Sequence, residues 1–161
     1  MEHSTEVLIK IWNGVKVSDD ARLAKQSPTP GIAEIDDIPY IDDGNKYHLL
    51  DVYYPQGREN DKLPVIVDIH GGGWFYGDKE LNKYYCLVLA GCGFCVFNIS
   101  YRLIPDVTVR EELTDCFDAL KFISENYSKY PADWDRLYLT GDSAGGQFAA
   151  LIPAIMNNPD F

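Results

Sequence analysis

The sequence predicts an α/β fold, a mostly parallel sheet with an N-terminal hairpin and helices on both faces. Three observations carry that expectation. Short apolar runs alternate with helix-period segments, and repeated strand–helix–strand units close through right-handed crossovers into a parallel sheet. One run, Pro64-Val65-Ile66-Val67-Asp68-Ile69, is almost continuously apolar, as a strand covered on both faces must be. Two glycine-rich turns, His70-Gly71-Gly72-Gly73-Trp74 and Gly141-Asp142-Ser143-Ala144-Gly145, each follow directly on a strand.

The elements follow in order. Residues 17–26 form a short amphipathic helix closed by Ser27-Pro28-Thr29-Pro30-Gly31. Strands at 36–41 and 48–54 flank Asp42-Asp43-Gly44-Asn45, which is turn chemistry, so the two pair as a hairpin. A polar loop leads to the apolar strand 64–69. A helix over 80–90 ends at Gly91, and Phe94-Cys95-Val96-Phe97-Asn98-Ile99-Ser100 is the next strand. Residues 111–127 are a helix with Leu113, Phe117, Leu120 and Ile123 on one face and acids at its start. The strand at 136–140 runs into the Ser143 turn, and a last helix starts at Ala144. That helix is apolar almost all round, the pattern of one covered on several sides, and Pro153 is expected to kink it or end it early.

Composition narrows the class. The 161 residues suffice for one domain with a real core, and 46% apolar content argues against disorder. A formal charge of -11 speaks against a nucleic-acid groove or an anionic membrane surface as partner. No apolar stretch reaches transmembrane length, and no basic region followed by an apolar run marks a signal peptide. Cys86, Cys92, Cys95 and Cys116 lack metal-ligand spacing and read as free thiols. A cytoplasmic protein without metal or organic cofactor is expected.

The two turns carry the chemistry. A serine that must lift its Oγ above a sheet sits on a strained strand-to-helix turn, where only small neighbours avoid a clash. That makes Ser143 the candidate nucleophile, with Gly141 and Gly145 as the small neighbours and Asp142 at the variable position. In the upstream loop, bare glycine amides can face an oxyanion. A phosphate loop would need a Lys-Ser/Thr ending or a second glycine register, and Trp74-Phe75 breaks both. His70 is better read as shaping its loop than as a base; His3 and His48 lie in a tail and in the hairpin. Asp68 and Arg102 suggest a buried pair, and Asp115 a packing or capping partner. Trp74, Phe75, Tyr76, Tyr84 and Tyr85 either wall an acyl pocket or belong to the core.

Together with Gly77-Asp78-Lys79, Tyr101-Arg102-Leu103-Ile104-Pro105 and Gly146, these motifs resemble the hormone-sensitive-lipase-like group of α/β-hydrolases, bacterial esterases with a His-Gly-Gly-Gly loop and a Gly-Asp-Ser-Ala-Gly-Gly elbow. The resemblance runs from about Asp36 to Asn157. It implies an incomplete α/β-hydrolase fold: residues 1–35 a helical, lid-like segment, and 36–161 the amino-terminal half of the hydrolase domain. It also implies a carboxylic-ester hydrolase for short- to medium-chain acyl esters, working through an acyl-serine on Ser143. The amides of Gly71, Gly72 and Ala144 would form the oxyanion hole, with His70 and Gly73 shaping the loop. In that group the triad's acid and histidine come later in the chain, whereas only 18 residues follow Ser143 here and none is a histidine. Two functions stay open, a hydrolase completed by another segment or chain, and a non-catalytic module that binds an acyl ligand or a protein. The strand 136–140 would lie at an open sheet edge, so self-association or pairing with a complementary carboxy-terminal half is expected.

Overall fold

A computed structural model describes residues 2–158, apart from the side chains of residues 2–5 and Ile9. Met1 and residues 159–161, the outer ends of the two expected segments, lie outside the described residues, as does the side chain of His3.

Among the described residues five strands form one sheet: β1 (Ile32–Pro39), β2 (Leu49–Pro55), β3 (Leu63–Ile69), β4 (Cys95–Ile99) and β5 (Ala132–Gly141), in the order β1-β2-β4-β3-β5. The hairpin β1–β2 and the pair β2–β4 are antiparallel; β4, β3 and β5 are parallel. Among the described residues four α-helices accompany them: α1 (Glu2–Leu23), α2 (Lys83–Gly91), α3 (Val109–Asn126) and α4 (Ser143–Met156). The pleat of β3 sorts its side chains into two cores. Val65, Val67 and Ile69 point to one face, where Cys116, Leu120 and Ile123 of α3 and Phe148 and Ile152 of α4 cover them. Ile66 points to the other, against Cys86, Leu87 and Ala90 of α2. Both faces of the central strands are therefore dry, which is why β3 and β4 read as near-continuous apolar runs, interrupted only by Asp68 and Asn98.

Several boundaries differ from the sequence expectation. The first helix spans 22 residues, not ten, and none of its described side chains is buried: Val7, Ile11 and Val17 are all exposed. Its surface is held by ion pairs such as Lys16–Asp20 at 2.9 Å, so the apolar period reveals only part of it. β1 begins at Ile32, paired with Pro55, four residues before the expected start; a bulge between Ile35 and Ile38 breaks the alternation by which a strand is read. Asp37 sits in that bulge at φ 58° and pairs with Lys79, whose ammonium also meets Asp51 and Glu80 at 2.8–2.9 Å. The helix expected from Glu80 starts as a 3₁₀ turn, Lys79–Asn82, capped by Asp78. α3 begins at Val109, behind a capping box made by Thr108 and Glu111. Pro153 does not end α4. The helix runs three residues further to Met156; the missing Pro153 N–H forfeits a single i→i−4 bond, and the Pro153 carbonyl accepts from Asn157.

The expected Asp68–Arg102 pair does not form. Asp68 faces α2, while Arg102, past the end of β4, turns toward α3 and grips Asp115 in a fork at 2.6 and 2.9 Å. Asp115 is thus a packing partner. Cys86, Cys95 and Cys116 are buried free thiols, and Cys92 is an exposed one. β5 is the last strand of the sheet, and Tyr138 on it is 56% exposed. Among the described residues no helix is long and apolar enough to cross a membrane.

Candidate active site

β5 ends at Gly141 and α4 begins at Ser143, so the chain reverses within two residues. Ser143 takes a φ of 50°, the left-handed region in which a non-glycine residue is strained. Close packing against the end of β3 leaves no softer path. A Cβ on Gly141 would stand 2.5 Å from the Ile69 carbonyl oxygen, and one on Gly145 would run into that same oxygen and come within 2.5 Å of the His70 oxygen. The turn therefore lifts Ser143 to an exposed position at the N-terminus of α4, with Ala144 buried behind it. Free N–H groups at a helix start favour negative charge there.

The opposing loop is built by His70. Its ring is buried and stacks on Tyr101 at 4.3 Å, and the Tyr101 hydroxyl donates to the His70 carbonyl at 2.8 Å. Nδ1 lies 2.7 Å from the Gly71 carbonyl, an acceptor, so Nδ1 carries the proton. Burial pushes the His70 pKa down and keeps the imidazole neutral. Gly72 and Gly73 follow at φ 120° and 60°, and Trp74 at 69°. A side chain at Gly72 would collide with the Tyr76 carbonyl, and the Trp12 ring of α1 fills the space beside Gly73. Trp12 also stacks on Tyr76, with 6.0 Å between ring centroids.

One expected oxyanion donor is not available. The Gly71 N–H donates to Asp142 Oδ1 at 2.9 Å, tying the loop to the elbow instead of facing open space. Among the described residues the amides of Gly72 and Gly73 have no hydrogen-bond partner, and neither has the side chain of Ser143. The same Asp142 Oδ1 accepts from Asn82 Nδ2 at 3.0 Å, and Asn82 Nδ2 donates also to Asp68 Oδ2 at 2.9 Å. Burial pushes the Asp68 pKa up to about 6.

Residues 50–161 match the family described as BD-FAE. The chain belongs to that family. Among curated relatives, versiconal hemiacetal acetate esterase of Dothistroma septosporum is 37% identical over 111 residues, which is 68% of this chain and 33% of that protein. Carboxylesterase NlhH of Mycobacterium tuberculosis is 34% identical over 63% of this chain and 32% of its own length. Among solved structures, esterase B from Lactobacillus rhamnosis, crystallised with a tributyrin phosphonate, superposes with a TM-score of 0.95 at 36% identity, covering 99% of this chain and 52% of that one. The BD-FAE chain thus spans about a third of those curated relatives and about half of that structure. Its fold is that of the amino-terminal portion of the hormone-sensitive-lipase-like α/β-hydrolases.

Against this family background the placement of the remaining candidates is informative. His48 bonds Asp43 at 2.8 Å and lies 3.6 Å from Asp115, in a buried cluster with no contact to Ser143. Among the described residues no histidine bonds Ser143, and no group of acidic, histidine or cysteine side chains could hold a metal. Tyr84 packs into the α2-side core and Tyr85 is exposed, whereas Trp74, Phe75 and Tyr76 stay half-buried around the glycine loop. Glu112 carries no sequence signal, yet its Oε1 accepts from the Ile104 N–H at 3.0 Å, an amide shared with the Trp74 carbonyl at 2.9 Å. It thereby fixes the loop after β4 against the glycine turn. Burial pushes its pKa up to about 8. Asn82 is the other residue missed, since an asparagine between two short helices is locally unremarkable.

Proposed function

We propose that this chain carries the nucleophile and oxyanion hole of a carboxylic-ester hydrolase. Ser143, held at φ 50° on the elbow opposite the unpartnered Gly72 and Gly73 amides, is the observation that supports this most directly. Ser143 Oγ attacks the ester carbonyl carbon and passes its proton to a base. The amides of Gly72, Gly73 and Ala144 stabilise the tetrahedral oxyanion; Gly73 replaces Gly71 in this set because the Gly71 N–H is engaged by Asp142. The C–O bond to the alcohol breaks as the leaving oxygen takes up that proton. Water then cleaves the acyl-serine to free acid. No cofactor takes part.

The base and its orienting acid come from polypeptide outside this sequence, docked along the open edge of β5. The apolar groove between Leu137, Leu139, Ala149, Pro153 and Met156 supports that location. The relatives named for an acetate ester and a tributyrin phosphonate support short- to medium-chain acyl esters as the substrate class. A second reading, an acyl-binding module without turnover, is favoured by the lack of a histidine on Ser143 among the described residues. Turnover of p-nitrophenyl butyrate by the chain alone, and after co-expression with the carboxy-terminal half of a related esterase, separates the two. The hydrolase assignment predicts negligible turnover alone, since loss of a triad histidine costs on the order of 10⁶ in rate, and recovery in the mixture. No recovery by a complex that demonstrably forms would favour the binding module.

A further inference from the structure

Four pieces of chain meet in one hydrogen-bonded series: Asp68 near the end of β3, Asn82 at the close of the 3₁₀ turn, Asp142 at the elbow and Gly71 in the glycine loop. We propose that Asn82 is a positioning residue for acyl transfer, clamping the Asp142 carboxylate so that the Gly71 peptide, and with it the Gly72 and Gly73 amides, is fixed relative to Ser143. The proposal rests on Ser143 acting as nucleophile.

The chemistry at position 82 is restrictive. A carboxylate lies on either side, Asp68 Oδ2 at 2.9 Å and Asp142 Oδ1 at 3.0 Å, and an amide NH₂ can donate to both at once. An aspartate there would offer acceptors only, and alanine would take one donor from each carboxylate, leaving the Gly71 N–H as the remaining protein donor on Asp142 Oδ1. Asp142 is itself exposed, so without Asn82 its side chain regains rotamer freedom and its hold on Gly71 loosens. The buried end of the series is anchored firmly. Asp68 is fully buried on β3 with the Cys86 thiol beside it, so Asn82 is referenced to the sheet rather than to a surface loop. The tolerance is small because Gly71 already packs on Asp142 so closely that a Cβ would stand 2.9 Å from the Asp142 carbonyl oxygen. Misplacement by roughly 1 Å at such a site can cost on the order of a hundredfold in rate. A loosened clamp, with the loop still held by His70 and Tyr101, is expected to cost about tenfold.

The test is the saturation kinetics of phosphonylation by a fluorophosphonate probe, with the adduct located by peptide mass spectrometry. Asn82→Ala is expected to lower the maximal labelling rate about tenfold while leaving the half-saturating probe concentration unchanged. The Gly71 amide, followed by NMR hydrogen exchange, is expected to lose protection in the same variant. Asp142→Ala should match Asn82→Ala, and Asp142→Asn, which keeps the accepting oxygen, should largely restore the rate. Should Asn82→Ala fail to fold, the Asp142 pair decides. Wild-type kinetics in Asn82→Ala, with Ser143→Ala unlabelled, would overturn the role of Asn82 and leave the nucleophile standing. Slower labelling with Gly71 protection unchanged would overturn it as well. Absence of a Ser143 adduct in the unsubstituted chain would remove both assignments together.

Discussion

Ser143 and its glycines act over distances of one or two residues. At Gly145 the chain touches the carbonyls of Ile69, the last residue of β3, and of His70 just beyond it, so Gly145→Ala must push that strand end and α4 apart. Overpacking of this kind costs about 1–3 kcal/mol, and urea denaturation should show a loss of that size together with loss of Ser143 labelling. Glu112 shows the same locality in its charge. Its pKa rises from 4.5 to about 8 because burial disfavours the carboxylate, so folding favours the protonated form. The stability it contributes is complete below about pH 4.5 and is lost as pH rises through about 8. Glu112→Gln should therefore remove part of the decline in unfolding midpoint between pH 5 and 9, a difference read by thermal melts across that window. Gly71 to Gly73 and Gly141 to Gly145 were legible in the sequence because the demand for a missing Cβ is local. Asn82 and the Gly71–Asp142 bond were not, since they join segments 60 and 71 positions apart. That long-range bond also engages the Gly71 N–H, which the resemblance alone implies is free to face an oxyanion.

At the scale of elements, legibility follows burial pattern. β3, β4 and α3 announce themselves by apolar runs or a helical stripe because the sheet's two dry faces demand it. α1 does not, since none of its described side chains is buried. Its described ties to the body are few: Trp12 on Gly73 and Tyr76, Asp19 facing Tyr76, and Arg22 reaching the Leu81 carbonyl at 3.4 Å. Its backbone amides should exchange with solvent well before those of α3, in a native-state hydrogen-exchange experiment; equal protection would mean that α1 is part of the cooperative core. α3 in turn depends on its N-terminus. Thr108→Ala removes the side-chain half of the capping box, the Thr108 hydroxyl that accepts from the Glu111 N–H, and should cost about 1 kcal/mol by urea denaturation.

Across the whole molecule, the alternation of strands and helices was enough to predict a mostly parallel sheet with a hairpin at one side, because crossover handedness leaves few other arrangements. The exposed flank was implied by the resemblance to the hydrolase group rather than by that alternation. β5, which carries the nucleophile turn, is an edge strand bordered by half-buried Leu137 and Leu139. Such an edge presents unpaired backbone groups beside apolar side chains, so the isolated chain should self-associate, with sedimentation coefficients rising over a concentration series. A concentration-independent monomer would mean that the edge is already protected. The central claim, that Ser143 is a nucleophile on a preformed elbow, is tested most directly by exposing the chain to excess fluorophosphonate and locating the adduct by peptide mass spectrometry. The account predicts slow labelling confined to Ser143 and abolished in Ser143→Ala. No adduct at Ser143, or adducts spread over several serines at equal rates, would contradict it.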